Sequence, residues 1–159
     1  MTHHERGYDA CFATPFAVLG IRTGHDCITG IDYLPPGAPT LAPVNTLAKL
    51  CCRELERYVK NPRHLFTMPC RQSGTDFQRR VWECICAIPV GSTRTYKDIA
   101  LEIGTSARAV GNACGANSLP IVVPCHRVLA TGGIGGFMHS RGGFPLQVKR
   151  WLLSHEGIR

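Results

Sequence analysis

The sequence predicts an α/β N-terminal domain, a small antiparallel sheet with a helix, followed by a mostly α C-terminal domain that contains a helix-turn-helix. Three observations carry this. Two short apolar segments near the N-terminus flank a cluster of turn formers. Two Thr-x-x-polar signals open helical repeats in the second half. Ala100, Gly104 and Val110 have the spacing at which a small residue, a turn glycine and an apolar anchor join two helices. The predicted domain boundaries are 1–73 and 74–159.

In the first domain, "PFAVLGIR" and "CITGIDYL" are separated by "TGHD", which reads as a hairpin turned at Gly24 and Asp26. "PPGAP" forms a loop. Leu47, Leu50, Cys51, Leu55, Tyr58 and Val59 then recur at helical spacing, and Asn61-Pro62 stops the pattern because a residue before proline is pushed out of the helical region.

The second domain opens at "SGTDFQ", where Thr75 and Gln78 form a capping box that satisfies otherwise unpaired helix-start N–H groups. Phe77, Val81, Cys84, Ile85 and Ile88 mark the expected buried stripe, and Pro89 ends it. A second helix starts at Thr95 with Asp98 as capping partner and runs to Gly104. A third begins near Thr105 or Ser106 and extends to about Asn117. The last, "FPLQVKRWLLSHEG", has Pro145 in its first turn, Gly157 as cap, and Trp151, Leu152 and Leu153 directed at the core.

With 159 residues, the chain is long enough to bury a core without disulfide staples. Apolar runs fall short of the roughly 18 residues of a membrane span, so no membrane partner is expected. The start lacks the pattern of a secretory signal, which points to the cytoplasm. Nine cysteines, an odd count, have no C-x-x-C spacing; they read as reduced, mostly core residues, with no metal site and no cofactor. Net charge is +7, split as +2 over residues 1–74 and +5 over residues 75–159. A basic excess of that kind suits a polyanion such as nucleic acid, and Arg108 near the start of the third helix lies where a phosphate or groove contact would be made.

"LPIVVPCHRVLATGGIGG" places Cys125 beside His126 and Arg127, after an apolar run that reads as a strand. A free thiol, with a pKa of about 8.5, needs a base or a positive field to become a nucleophile. Adjacent residues of an extended chain point opposite ways, so a direct Cys125–His126 hydrogen bond is not guaranteed and a bridging water could serve. A third group would orient the histidine, and Glu156 is one of only five acids in the second half. The residues equally admit a buried structural Cys125.

"PCHRV" before a glycine-rich stretch, with "GTDFQRRVWE", "TYKDIA" and "ARAVGNACGAN" ahead of it in order, resembles the O6-alkylguanine-DNA alkyltransferases over residues 74–159. The resemblance implies an RNase H-like N-terminal domain and single-turnover, irreversible transfer of an alkyl group from O6-alkylguanine in double-stranded DNA to Cys125, by a methylated-DNA–protein-cysteine S-methyltransferase acting as a monomer. O4-alkylthymine is a further admissible lesion. By the same resemblance His126 takes the thiol proton through a water, Glu156 orients His126, Asn117 braces the turn ahead of Cys125, and Tyr96 donates to the guanine. Arg108 fills the space left by a flipped nucleotide. Ala109, Gly111, Ala113 and Gly115 allow close approach to the minor groove, with Thr95 and Arg127 as further DNA contacts. Val128, Phe137, Met138 and Ser140 line the base pocket; Phe137 stands where many relatives carry tyrosine. The alternatives are a DNA-binding regulator or alkylation sensor without repair, a cysteine hydrolase, and a structural zinc protein.

Overall fold

The computed structural model describes residues 7–136 and 143–158, and the chain divides into two compact units, residues 1–72 and 73–159. Among the described residues no helix is long and apolar enough to cross a membrane.

In the first unit, β1 (Ala10–Ala13), β2 (Val18–Thr23) and β3 (Ile28–Leu34) form an antiparallel sheet in that order. Leu19 faces Tyr33 and Ile21 faces Ile31 across β2 and β3, and the register shifts at Arg22/Thr23. The hairpin follows the apolar segments closely. β1 has no counterpart in the sequence reading, because "ACFA" is too short to show a period of two. The α1 helix (Thr46–Lys60) is capped by Asn45, whose Oδ1 accepts from Ala48 N–H at 2.8 Å. Ala48, Cys51, Leu55 and Tyr58 are its buried positions, together with one acid, Glu54. That carboxylate is satisfied by the N–H groups of Thr67 (2.9 Å) and Met68 (2.7 Å) and by His64 Nε2 (3.1 Å), as a buried charge requires.

The second unit is mostly helical: α2 (Asp76–Cys86), α3 (Tyr96–Ile103), α4 (Ala107–Gly115) and α5 (Gly143–His155), with a short parallel pair of β4 (Arg94–Thr95) and β5 (Val128–Leu129). Both capping boxes form as expected, Thr75 with Gln78 and Thr95 with Asp98. α3 stops at Gly104, whose φ of +85° is a conformation that side-chain-bearing residues rarely adopt, and Ser106 caps α4. Val81, Ile85 and Ile88 are buried as the stripe predicts, whereas Phe77 and Cys84 are only partly buried and Trp82 replaces them in the core. Trp82 Nε1 donates to the Ala113 carbonyl at 2.9 Å, tying α2 to α4. On α5, Leu152 and Leu153 face inward, but Trp151 is half-buried and stacks on His155 with ring centroids 4.7 Å apart.

Candidate active site

The apolar run ahead of Cys125 does not form the expected strand. Pro120 and Pro124 lack the N–H groups a ladder needs, and the chain turns instead. Val123 N–H bonds back to Leu119 O at 2.9 Å and Cys125 N–H to Val123 O at 2.8 Å. Ile121 sits at φ +74°, a costly conformation for a β-branched residue and one concentrated at functional sites. Cys125–Arg127 then form a single 3₁₀ turn.

Asn117 spans this turn. Its Oδ1 accepts from Leu119 N–H at 2.9 Å, and its Nδ2 donates to Val123 O at 2.8 Å and to Cys125 Sγ at 3.1 Å. Cys125 itself is buried. A hydrogen bond with Cys114, then burial, push its thiol well above the ordinary range, with Asn117 acting in the opposite direction. The resting sulfur therefore keeps its proton.

His126, which follows Cys125 in the chain, is 1% exposed. Its Nε2 lies 2.8 Å from Glu156 Oε2. A carboxylate only accepts, so Nε2 carries the hydrogen and Nδ1 of the neutral ring is the acceptor. Nδ1 is buried and has no hydrogen-bond partner among the described residues. Burial holds the imidazole below its ordinary value of 6.5 despite the opposing pull of Glu156, so the ring is neutral and able to accept at neutral pH.

Arg127 was expected at DNA. Its guanidinium instead clasps Glu156, with Nε to Oε1 at 2.7 Å and Nη2 to Oε2 at 3.1 Å, while Nη1 donates to Ile88 O at 2.7 Å. The side chain is 12% exposed and committed to the carboxylate that holds His126, so the structure corrects that assignment. Adjacent residues of a 3₁₀ turn can reach one partner where those of a strand diverge.

Tyr96 begins α3, and its hydroxyl donates to Gly136 O at 3.3 Å. Burial raises its pKa, keeping the phenol protonated and able to donate. Gly135 lies against the ring at φ +76°, where a Cβ would come within 3.1 Å of it. Sequence reasoning missed Lys149, which is 0% exposed and donates from Nζ to Val128 O (2.7 Å) and Gly136 O (2.9 Å). Burial lowers its amine to about 8. The available signal was its place on α5 three residues after Leu146 and three before Leu152, on the inward stripe. Val128 is fully buried; its carbonyl already accepts from Lys149, and that of Cys125 from Val128 N–H. Phe137, Met138 and Ser140 lie outside the described residues.

On α4, Arg108 is exposed, and Ala109, Gly111 and Gly115 are partly exposed. Ala113 is 1% exposed and packs inward with Val110, one helical turn away. It cannot face DNA as expected, since the run of small residues occupies more than one side of the helix. Thr95 uses its hydroxyl oxygen to cap Asp98 N–H at 3.0 Å. Among the described residues no group of three or more His, Cys, Asp and Glu could hold a metal ion.

A buried thiol, a neutral histidine and a clamped carboxylate thus share the helical unit. The family model for the DNA-binding domain of 6-O-methylguanine DNA methyltransferase matches residues 76–158. A probable methylated-DNA–protein-cysteine methyltransferase of Acanthamoeba polyphaga mimivirus is 47% identical over 105 residues, 64% of this chain and 67% of that protein. The inducible methylated-DNA–protein-cysteine methyltransferase of Bacillus subtilis is 45% identical over 106 residues, 65% of this chain and 56% of that protein. The matches thus span from little more than half to two thirds of these relatives. The crystal structure of Mycobacterium tuberculosis OGT in complex with DNA superposes with a TM-score of 0.71 at 33% identity, covering 92% of this chain and 90% of that one. The chain belongs to the methylated-DNA–protein-cysteine methyltransferase family of DNA-repair proteins.

Proposed function

We propose that this protein repairs DNA by moving the alkyl group of O6-alkylguanine onto Cys125 in one irreversible, in-line displacement. The observation that carries the reading is the hydrogen-bonded chain His126–Glu156–Arg127, which begins at the residue following a buried, protonated thiol. The Sγ proton passes through a water to His126 Nδ1, the imidazolium is stabilised by Glu156, and Sγ attacks the alkyl carbon. The C–O bond breaks, and guanine leaves with the electron pair while the Tyr96 hydroxyl donates to it. Asn117 is a positioning residue that holds the turn and contacts the sulfur; Arg127 positions Glu156. The product is a thioether with no carbonyl to hydrolyse, so one protein acts once.

A base stacked in a duplex is out of reach of a buried thiol, and flipping it costs a few kcal/mol. In this reading α3 and α4 form a helix-turn-helix whose second helix enters the minor groove. Ala109, Gly111 and Gly115 permit the approach, Thr95 contacts the backbone, and Arg108 fills the vacated stack. Val128 borders the base pocket, to which the 137–142 segment would contribute Phe137, Met138 and Ser140. The first unit, residues 1–73 in this division, is of RNase H-like type. The protein works as a monomer, in the cytoplasm, without a cofactor, and O4-alkylthymine is a second lesion to test.

The test is the mass of the intact, reduced protein after incubation with a duplex carrying one O6-methylguanine, followed by fragmentation to locate the adduct. The expected result is one methyl group on Cys125, saturating at one per protein. Folded, reduced protein that binds the duplex and gains no mass would instead be a damage sensor.

A further inference from the structure

The outer face of α1 carries a row of cations that helix formation opposes. Six of the eight lysines and arginines in residues 1–74 lie between Lys49 and Arg71, against two acids, Glu54 and Glu56. Neither acid offsets the row. Glu54 is 1% exposed and turned inward, where the Thr67 and Met68 N–H groups and His64 take up its charge. Glu56 is taken by Lys60, with Nζ and Oε1 3.3 Å apart. Lys49, Arg53 and Arg57 are left, all exposed and, among the described residues, held by no ion pair. Spaced four residues apart, they fall within about 80° of arc and over about 12 Å of helix, facing away from the buried Cys51, Leu55 and Tyr58.

This row costs the helix stability. Lys49 stands in the first turn, where the helix dipole favours an anion, and α1 has no acid there. Lys49 with Arg53, and Arg53 with Arg57, are like charges at i,i+4, which repel on a helix surface. Only Arg57, in the last turn, suits the dipole. Folding gives no reason for the row, whereas three uncompensated cations in a line match a polyanion.

We propose that Lys49, Arg53 and Arg57 form a second DNA-binding surface, which grips the sugar–phosphate backbone of a duplex without reading its sequence. The partner follows from charge complementarity and from membership of a DNA-repair family. One strand of a duplex presents a phosphate about every 3.4 Å of its axis, so a row about 12 Å long meets about three of them. Two of the three side chains are arginines, whose planar forks bind phosphate oxygens in pairs. Backbone contact needs neither Cys125 nor a lesion, so this surface goes beyond the transfer reading.

The test is the salt dependence of binding to an undamaged duplex, read by fluorescence anisotropy on the full chain. Each phosphate contact contributes about 0.9 to the slope of log K against log salt. The triple variant Lys49→Gln/Arg53→Gln/Arg57→Gln is therefore expected to give a slope shallower by about 2.7, and each single variant by about 0.9. Its thermal midpoint is expected at or above that of wild type, because like-charge repulsion has been removed. Should the triple variant unfold, the single variants carry the same readout. The charge-keeping variant Lys49→Arg/Arg53→Lys/Arg57→Lys is expected to keep the wild-type slope. A folded triple variant whose slope lies within about 0.5 of wild type would overturn the proposal. So would wild-type protein that uses these residues to bind vesicles of anionic phospholipid while binding the duplex equally well without them. Methyl acceptance is followed on the same samples by mass. An unchanged slope with normal acceptance removes this surface and keeps the transfer reading; the expected slope change in a protein that never gains a methyl group does the reverse.

Discussion

Glu156 and His126, thirty residues apart in the chain, meet at 2.8 Å through Oε2 and Nε2. The contact selects the tautomer in which Nδ1 is the acceptor. Glu156→Gln can turn its amide nitrogen toward Nε2, which forces the hydrogen onto Nδ1 and removes the acceptor. Single-turnover transfer should slow by about 10²-fold or more, read from methyl gain on Cys125 over time. A rate within twofold of wild type would show that Nε2 does not set the tautomer.

Arg127 is bonded on both sides, to Glu156 and to Ile88 O. Arg127→Ala leaves a buried carboxylate without its counter-charge, for which about 3–5 kcal/mol of stability should be lost. Arg127→Lys restores the charge but not the fork, and should recover less than half of it. Urea denaturation measures both, and a loss below about 1 kcal/mol in the alanine variant would place the guanidinium outside the buried network.

The rate of transfer should have an acid limb below pH 6.5, because burial holds His126 under its ordinary value of 6.5 and only the neutral ring accepts a proton. Stability has the same sense. The unfolded chain protonates this histidine first as pH falls below 6.5, so stability drops from there down through the folded value. A half-maximal rate at pH 7.5 would rule out a neutral buried base.

Lys149, lowered by burial to about 8 from 10.5, works in the alkaline range. Between those values the unfolded chain binds the extra proton, so this group adds stability as pH rises. The stability of wild type relative to Lys149→Met should therefore rise between pH 7.5 and 9.5, by about 1–2 kcal/mol. Taking the difference cancels the titration of the thiols beyond electrostatic reach of Lys149, leaving the amine with Cys114 and Cys125. A flat difference would mean that the amine reaches solvent.

Arg108, exposed near the start of α4, is free of the structural duty that holds Arg127. Arg108→Ala should slow reaction with a duplex lesion at least tenfold while changing reaction with a single-stranded lesion less than threefold, since a single strand needs no flipping. Equal losses on both substrates would make it a phosphate contact.

The sequence by itself determined the local elements. The caps at Thr75 and Thr95, the stops at Asn61 and Gly104, and the hairpin around "TGHD" are short-range devices whose partners lie within four residues, so the chain spells them out. It also carried the family resemblance, because "PCHRV" and the motifs before it sit in a fixed order along the second half. Only the tertiary structure decided which side chains face one another. Periodicity marks a stripe as apolar but cannot say that Lys149 lies on it with two carbonyls waiting, or that Ala113 points inward while Arg108 points out. Nor can it tell that Arg127 turns back to Glu156, or that Cys114 and Cys125 share Asn117. Those contacts join residues brought together by packing, where burial of apolar surface sets the neighbours and the polar groups must then find partners among whatever lies beside them.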